Sequence, residues 1–471
     1  MKLYPSWIPT LRRTALAVAV TATIAAALYV EEEIRGERAL RRFERKCRDK
    51  GKPLDYAFYK PAPVPDDQNL FKAPVILRSL DPQKSSNPFQ ADMRYFELQK
   101  VVGQWQRGEA SQPSLAYSIL KKAPDGDKPD PGKAALLILD SLKGIQPELD
   151  ALDDAAMQRP YSQIEFRVDG SLEPIFGVLR SFTQALTLRA VAEVEIGDRD
   201  AAFKDIYGVL RVTQGAASFP SFIHLMMANV MVKLALQPYW EGCTKGLWTD
   251  SQLRTIEDLL SGFHPIRVLP VGLEAGRAAG SLTYRSGWMR PYWMPRGWWD
   301  INIVELYAPK NGAWNCSSLD PDTEQLDVPA FDRARLHFEA LRNSHSPFTW
   351  LARNEALSPM VPLYVAWAHN TFALGSTASA LERYRLKIGR FPQALTELVP
   401  SFIASVPHDV IDGKPLRYAC PDGLHYSLYS VGLNGIDDHG ALPGAPEDPK
   451  ASSSPWNSRE GDWVWPQAPV N

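Results

Sequence analysis

Between Thr14 and Val30 the chain carries no charged side chain, and Ala, Val, Leu and Ile fill most positions. A helix of this length stands at the short end of the ~17–25 residues that cross a bilayer. Lys2, Arg12 and Arg13 precede it without an acid, and Glu31, Glu32 and Glu33 follow at once. Positive charge is retained on the cytoplasmic side, so the expected topology is a single span with the N-terminus cytoplasmic. The bulk of the chain is then periplasmic or otherwise extracytoplasmic, and the protein is expected in the inner (cytoplasmic) membrane. The run Ala25–Ala27 also fits a signal-peptidase site. Helix formers continue without a break from Glu31 to Lys50, however, with Glu33/Glu37 and Arg41/Arg45 at surface spacing, which favours an uncleaved anchor.

Beyond the anchor the pattern changes several times. Pro53, Pro61, Pro63, Pro65, Pro74 and Pro82 forbid a long helix, so 51–88 reads as an extended linker. From about Asp92 to Tyr284 apolar residues recur at three and four. Within that stretch, Leu186, Ala190 and Val194 form one helical face, and Phe203, Ile206, Val209 and Leu210 form the next. Gly197 is placed to end the first helix and Asp198 to cap the second. This pair is similar to one tetratricopeptide-type unit, without a recurring period. A further helix is predicted over Phe222–Trp240. Thr249 with Gln252 three residues on predicts a capping box opening Asp250–Leu260.

Residues 286–330 lose periodicity, with Trp288, Trp293, Trp298 and Trp299 interleaved with Arg285, Arg290 and Arg296. These aromatics suit either a loop packed onto the helical domain or a surface that stacks on glycans or dips into a membrane. Leu363, Trp367, Leu374, Leu381, Tyr384 and Ile388 then predict a long amphipathic helix, with Glu382, Arg383, Arg385 and Lys387 facing away. Gly389 is placed to end it. Strand-like runs at Leu416–Tyr418 and His425–Ser430 follow, set off by Asp412-Gly413 and Pro421-Asp422-Gly423 turns. The expected fold is mainly α: an N-terminal transmembrane helix (1–30), a helical stalk and Pro-rich linker (31–88), and a repeat-like helical-hairpin domain (89–285). An aromatic-rich irregular segment with a helix (286–358) and a small α+β module with a long helix and short antiparallel strands (359–471) complete it.

Charge balance narrows the function classes. Lys and Arg number 52 against 54 Asp and Glu, so the chain has no basic field for nucleic acid. Cys47, Cys243, Cys316 and Cys420 form no CxxC pair and fall at no zinc-ligand spacing. Their pairing in an oxidising compartment is open. Walker, GxGxxG, GxSxG and HExxH motifs are missing. Ser118 and Lys121 fit SxxK without partner motifs. The histidines are scattered: His369 reads as a polar-face residue of the long helix, and His439 stands beside Asp437 and Asp438. No catalytic residue is assigned.

Ala380–Tyr418 (ALERYRLKIGRFPQALTELVPSFIASVPHDVIDGKPLRY) and Tyr426–Gly440 (YSLYSVGLNGIDDHG) together resemble the soluble module of type II secretion major pseudopilins. The shared series is a long helix, a Gly-x-(Tyr/Phe)-Pro step, a Leu-Val-Pro helix, a Pro-x-Asp…Gly-x-Pro-x-x-Tyr hairpin and a Ser-x-Gly-x-(Asp/Asn)-Gly turn. The whole chain is also similar to uncharacterised bacterial single-span envelope proteins. Here the module lies some 330 residues beyond the span, and the first thirty residues lack the pilin leader pattern. The resemblance implies a Ca²⁺ in the loop after the final strand, held by Asp437, Asp438 and a returning Asp462 with backbone carbonyls. No other cofactor is implied.

Two functional readings follow. The first is a membrane-anchored scaffold that binds other envelope proteins, in association with a secretion-type machine. The second is a membrane-tethered glycan-binding protein or hydrolase that uses the Trp288–Trp299 loop with Asp300 or Glu305.

Overall fold

The computed structural model describes residues 8–80, 131–164, 175–219, 221–287, 289–307, 316–441 and 461–465. Its helices in chain order are α1 (Ile8–Asp49), α2 (Pro74–Ser79), α3 (Pro131–Leu142), α4 (Gln146–Gln158), α5 (Ile175–Ile196), α6 (Arg199–Ser218), α7 (Phe222–Thr244) and α8 (Asp250–Ser261). They continue as α9 (Pro265–Arg285), α10 (Arg296–Tyr307), α11 (Val328–Arg342), α12 (Trp350–Glu355) and α13 (Val361–Ile388). Strands β1 (Leu319–Asp320) and β2 (Gln325–Leu326) pair as an antiparallel hairpin. Strands β3 (Arg417–Ala419), β4 (Ser427–Ser430) and β5 (Trp463–Val464) form an antiparallel sheet in the order β3-β4-β5. The chain is thus mainly helical, with one N-terminal helix long and apolar enough to cross a membrane and a few short antiparallel strands.

The chain divides into two compact units. The smaller holds residues 1–58, 274–316 and 332–359. Helix α1 has two faces of different chemistry along its length. Leu16, Val18, Val20, Ile24 and Leu28 are all exposed, whereas Leu40, Phe43 and Cys47 are buried against Trp299, Ile303, Leu306 and Leu351. The crossing of α1 with α10 is made close by Gly36 and Gly297, since a Cβ on either would overlap backbone of the opposite helix. Trp298 Nε1 donates to Glu32 Oε2 at 3.0 Å, Trp299 Nε1 donates to the Tyr284 carbonyl at 2.6 Å, and Arg285 pairs with Glu44. The stretch expected to be irregular over 286–330 therefore contains a regular helix. Its period is hard to see because Gly297 and two adjacent tryptophans replace the usual aliphatic stripe.

The larger unit holds residues 59–273, 317–331 and 360–471. Helices α5 and α6 form the expected hairpin: Gly197 takes a positive φ of 81° and the Asp198 carboxylate accepts the Ala201 N–H. The Thr249/Gln252 capping box opens α8. Part of the supposed linker is instead core, with Leu70, Phe71, Val75 and Ile76 buried among α4–α6 residues. Pro74 does not break structure there but starts α2, where its missing N–H is no loss. Helix α13 ends at Gly389 (φ 86°) as expected, but it is enclosed on nearly all sides. Glu382 and Arg383 are buried rather than outward, Arg383 pairing with Asp250 at 3.0 Å and Glu257 at 2.8 Å, while Ile388 is exposed. All four cysteines are buried free thiols.

Candidate functional site

The larger unit gathers titratable groups at three places. The first is a histidine–carboxylate cluster of Glu324, His369 and His408, whose candidate ligand atoms all lie within 4.8 Å of one another. Glu324 sits in the β1–β2 turn, which the Asp320 carboxylate closes by accepting the Asp322 N–H at 2.9 Å. Its φ is +54°, a left-handed conformation that costs a residue with a Cβ about 1–2 kcal/mol. That backbone turns the carboxylate inward. The hairpin is then tied to the segment after His408 by the Leu326 N–H to Val410 carbonyl bond at 2.8 Å.

His369 and His408 are brought together by a neighbouring polar network. Asn370 Nδ2 donates to Ser430 Oγ at 2.6 Å, Asn370 Oδ1 accepts the Val410 N–H at 3.2 Å, and the buried Asp409 carboxylate accepts the Ile411 and Val431 N–H groups at 2.9 and 2.8 Å. The Asn370–Val410 bond fastens the middle of α13 to the loop that carries His408, and the bonds to Ser430 and Val431 tie both of them to β4. His264, at the start of α9, places Nδ1 3.3 Å from Glu324 Oε1, and Arg267 Nη2 lies 3.0 Å from Oε2. His369 Nδ1 is 3.9 Å from Oε1. His369 and Glu324 are only 8% and 5% exposed, and His369 Nδ1 and Glu324 Oε1 are both buried without a hydrogen-bond partner. Burial pushes the His369 imidazole down to about 4, partly opposed by Glu324, so at neutral pH the ring is neutral with a lone pair to offer. The sequence had put His369 on a polar face; its partners come from positions 264, 324 and 408, and no short motif signals such a set.

The second place is Arg189 among acids. Its guanidinium reaches Asp153 and Asp205 at 2.6 Å, Asp150 at 2.6 Å, and has Glu193 at 3.7 Å. Burial, with Asp205 nearby, pushes the Glu193 carboxyl up to about 9, and burial and Asp205 also push Asp153 well above the carboxylate range. One buried cation cannot balance all of these acids, so some hold protons at neutral pH. Five helical residues of the α4–α6 layer are thereby locked together. The i,i+4 spacing of Arg189 and Glu193 was the only sequence signal.

The third is the turn proposed for Ca²⁺. Asp462 is buried, and its carboxylate accepts the N–H groups of Gly440 at 2.8 Å and Asp438 at 3.4 Å. Asp438 accepts Asn434 Nδ2 at 3.0 Å, whereas Asp437 accepts the Tyr429 hydroxyl at 2.9 Å. Asp438 and Asp462 thus share one turn, with Asp437 engaged by Tyr429 on its strand. Residues 442–460, between the two arms, lie outside the described residues, as do Ser118 and Lys121.

In the smaller unit, Trp299 and Asp300 are buried, Trp293 is half exposed and Tyr292 is fully exposed. Burial raises the Asp300 carboxyl. Trp288 lies outside the described residues. Surface aromatics are therefore limited, among the described loop residues, to the Tyr292–Trp293 tip and part of Trp298, which stacks edge-on to Phe348 at 5.2 Å. No protein-family model, curated protein or solved structure matches this chain.

Proposed function

We propose that this chain is a membrane-anchored envelope scaffold, with its bulk outside the cytoplasmic membrane and its partners among envelope proteins of a secretion-type machine. The observation that carries the anchor is the division of α1. One continuous helix leaves Leu16 to Val30 exposed and then buries Leu40, Phe43 and Cys47 in protein. An apolar cylinder of that length is stable against lipid and unfavourable in water. The basic residues before it and Glu31–Glu33 after it support the cytoplasmic N-terminus.

The binding role rests on two features of the larger unit. A groove of about 490 Å³ is lined by Ile223, Met226, Met227, Val230, Met231 and Tyr364, among others. Methionines are unbranched and polarisable, so such a surface adapts to an apolar helix of a partner. The sequence after α13 resembles the ordered motif series of a pseudopilin, which supports a protein-binding role for that module. Its Asp438 and Asp462 are proposed to take Ca²⁺ with carbonyls of the Asn434–Gly440 turn.

The enzyme or glycan-binding alternative has the exposed Tyr292–Trp293 tip in its favour. Affinity purification of the full chain from solubilised membranes separates the two. A reproducible set of envelope proteins, reduced by Met227→Glu in the groove, is expected of the scaffold. Retention on peptidoglycan that is lost in a Tyr292→Ala/Trp293→Ala variant, with no protein partners, would instead establish the alternative.

A further inference from the structure

We propose that Glu324, His369 and His408, with His264 as the fourth donor, form a binding site for one divalent transition-metal ion of the zinc class. Three imidazoles and one carboxylate suit Zn²⁺, while Ca²⁺ and Mg²⁺ prefer an all-oxygen shell. Ligand atoms about 2.1 Å from a tetrahedral ion stand about 3.4 Å apart. The observed separations of 3.3 Å from His264 Nδ1 to Glu324 Oε1 and 3.9 Å from His369 Nδ1 to the same oxygen bracket that value. The ligand atoms of Glu324, His369 and His408 all lie within 4.8 Å of one another, so an ion among them draws the side chains together.

A purely structural histidine cluster would satisfy its polar atoms internally, as buried groups nearly always do. Here two atoms that face one another, Glu324 Oε1 and His369 Nδ1, are buried and lack hydrogen bonds. Glu324 is held in a left-handed backbone conformation that glycine would adopt without strain, and that conformation delivers the carboxylate to the imidazoles. Outer-sphere groups are present as well. Arg267 holds the second carboxylate oxygen, and His408 Nε2 lies 3.1 Å from the Thr323 carbonyl oxygen, which orients the ring as second-shell acceptors do for metal-bound histidines.

The four donors come from the start of α9, the β1–β2 turn, the middle of α13 and the loop before β3. An ion there closes these segments of the larger unit onto one point, so its role is a staple for the pseudopilin-like module. His264 also lines a cavity of about 210 Å³ with Asn229 and Phe372. This inference does not depend on the scaffold reading.

The test uses the full chain in detergent, stripped with chelator and titrated with Zn²⁺ against a chromophoric competitor, and with Co²⁺ as a spectroscopic reporter. One equivalent should bind with micromolar affinity or tighter, giving the intense visible bands of four-coordinate cobalt and a higher melting temperature. Loss of a second-shell group already costs about 10–100-fold in affinity, so His408→Gln and a His369→Gln/His408→Gln pair should each lose at least about 100-fold. Glu324→Gly keeps the fold testable, because it relieves the backbone strain: it should fold at least as well without metal and fail to bind. No stoichiometric Zn²⁺, equal competition by Ca²⁺, or a cobalt spectrum that survives Glu324→Gly and the double histidine variant would each overturn the site.

Discussion

Replacing Arg189 by Met keeps the length and apolar stem of the side chain and removes the only guanidinium that, among the described residues, serves Asp153, Asp205 and Glu193. Asp205 is fully buried and receives two arginine donors, Nη2 at 2.6 Å and Nε at 2.9 Å. Without them its carboxylate has no counter-charge, and the folded state keeps it only by protonation. Holding a carboxyl of ordinary pKa near 4 in its acid form at pH 7 costs about 1.4 kcal/mol per pH unit, or about 4 kcal/mol. That figure agrees with the roughly 3–5 kcal/mol found when one partner of a buried ion pair is removed. The sign follows from the direction of the shift. A carboxyl whose folded pKa is raised contributes its full stability below the unfolded pKa near 4 and loses it as pH rises toward the folded value. Glu193, already pushed up to about 9 by burial and Asp205, gives the wild type a decline of the same sense between about pH 5 and 9, which the variant shares. The variant should therefore match the wild type to within about 1 kcal/mol at pH 4.5 and fall about 4 kcal/mol behind at pH 7.5. Urea unfolding of the full chain in detergent, followed by far-ultraviolet ellipticity at the two pH values, reads both. A loss below about 1 kcal/mol at pH 7.5, or an equal loss at both, would refute the counter-ion argument.

Other consequences are more local. Leu381 is 0% exposed on α13, so Leu381→Ala should destabilise the larger unit by about 2–5 kcal/mol in the same melts; a change under about 1 kcal/mol would mean the helix is not packed there. Gly297→Ala forces α1 and α10 apart and should cost about 1–3 kcal/mol, with exposure of Trp298 visible in its fluorescence; an unchanged melt would deny the close crossing. Calcium should raise the melting temperature of the full chain, and Asp438→Ala should abolish the rise. A melting temperature indifferent to calcium would mean that Asp462 serves only its backbone amides.

Much of the helical layout was legible because local chemistry marks element ends. Gly197 and Asp198, the Thr249/Gln252 box and Gly389 each declare a terminus whatever the tertiary context. Long-range facts were not legible. Leu70 to Ile76 looked like linker because proline signals a break, and only packing shows that Pro74 begins a buried turn. Glu382 and Arg383 were assigned outward by the rule for surface helices, which fails for a helix enclosed over most of its length, with Arg383 served by Asp250 and Glu257. His369 was misplaced for the same reason. The Glu324–His369–His408 cluster is assembled from segments far apart in sequence, so nothing short of the folded chain reveals it.

The anchored, outward-facing bulk is tested most directly by site-specific labelling. The four native cysteines are buried, so they provide a quiet background, and Tyr292, at 99% exposed, offers a position for a reporter thiol. Spheroplasts expressing the Tyr292→Cys variant are treated with a membrane-impermeant maleimide before and after lysis, and the labelled chain is followed through a carbonate wash. A periplasmic bulk on an uncleaved span predicts full labelling without lysis, on a full-length chain that stays with the membrane pellet. Labelling that requires lysis, or a shortened labelled chain released into the soluble fraction, would contradict it.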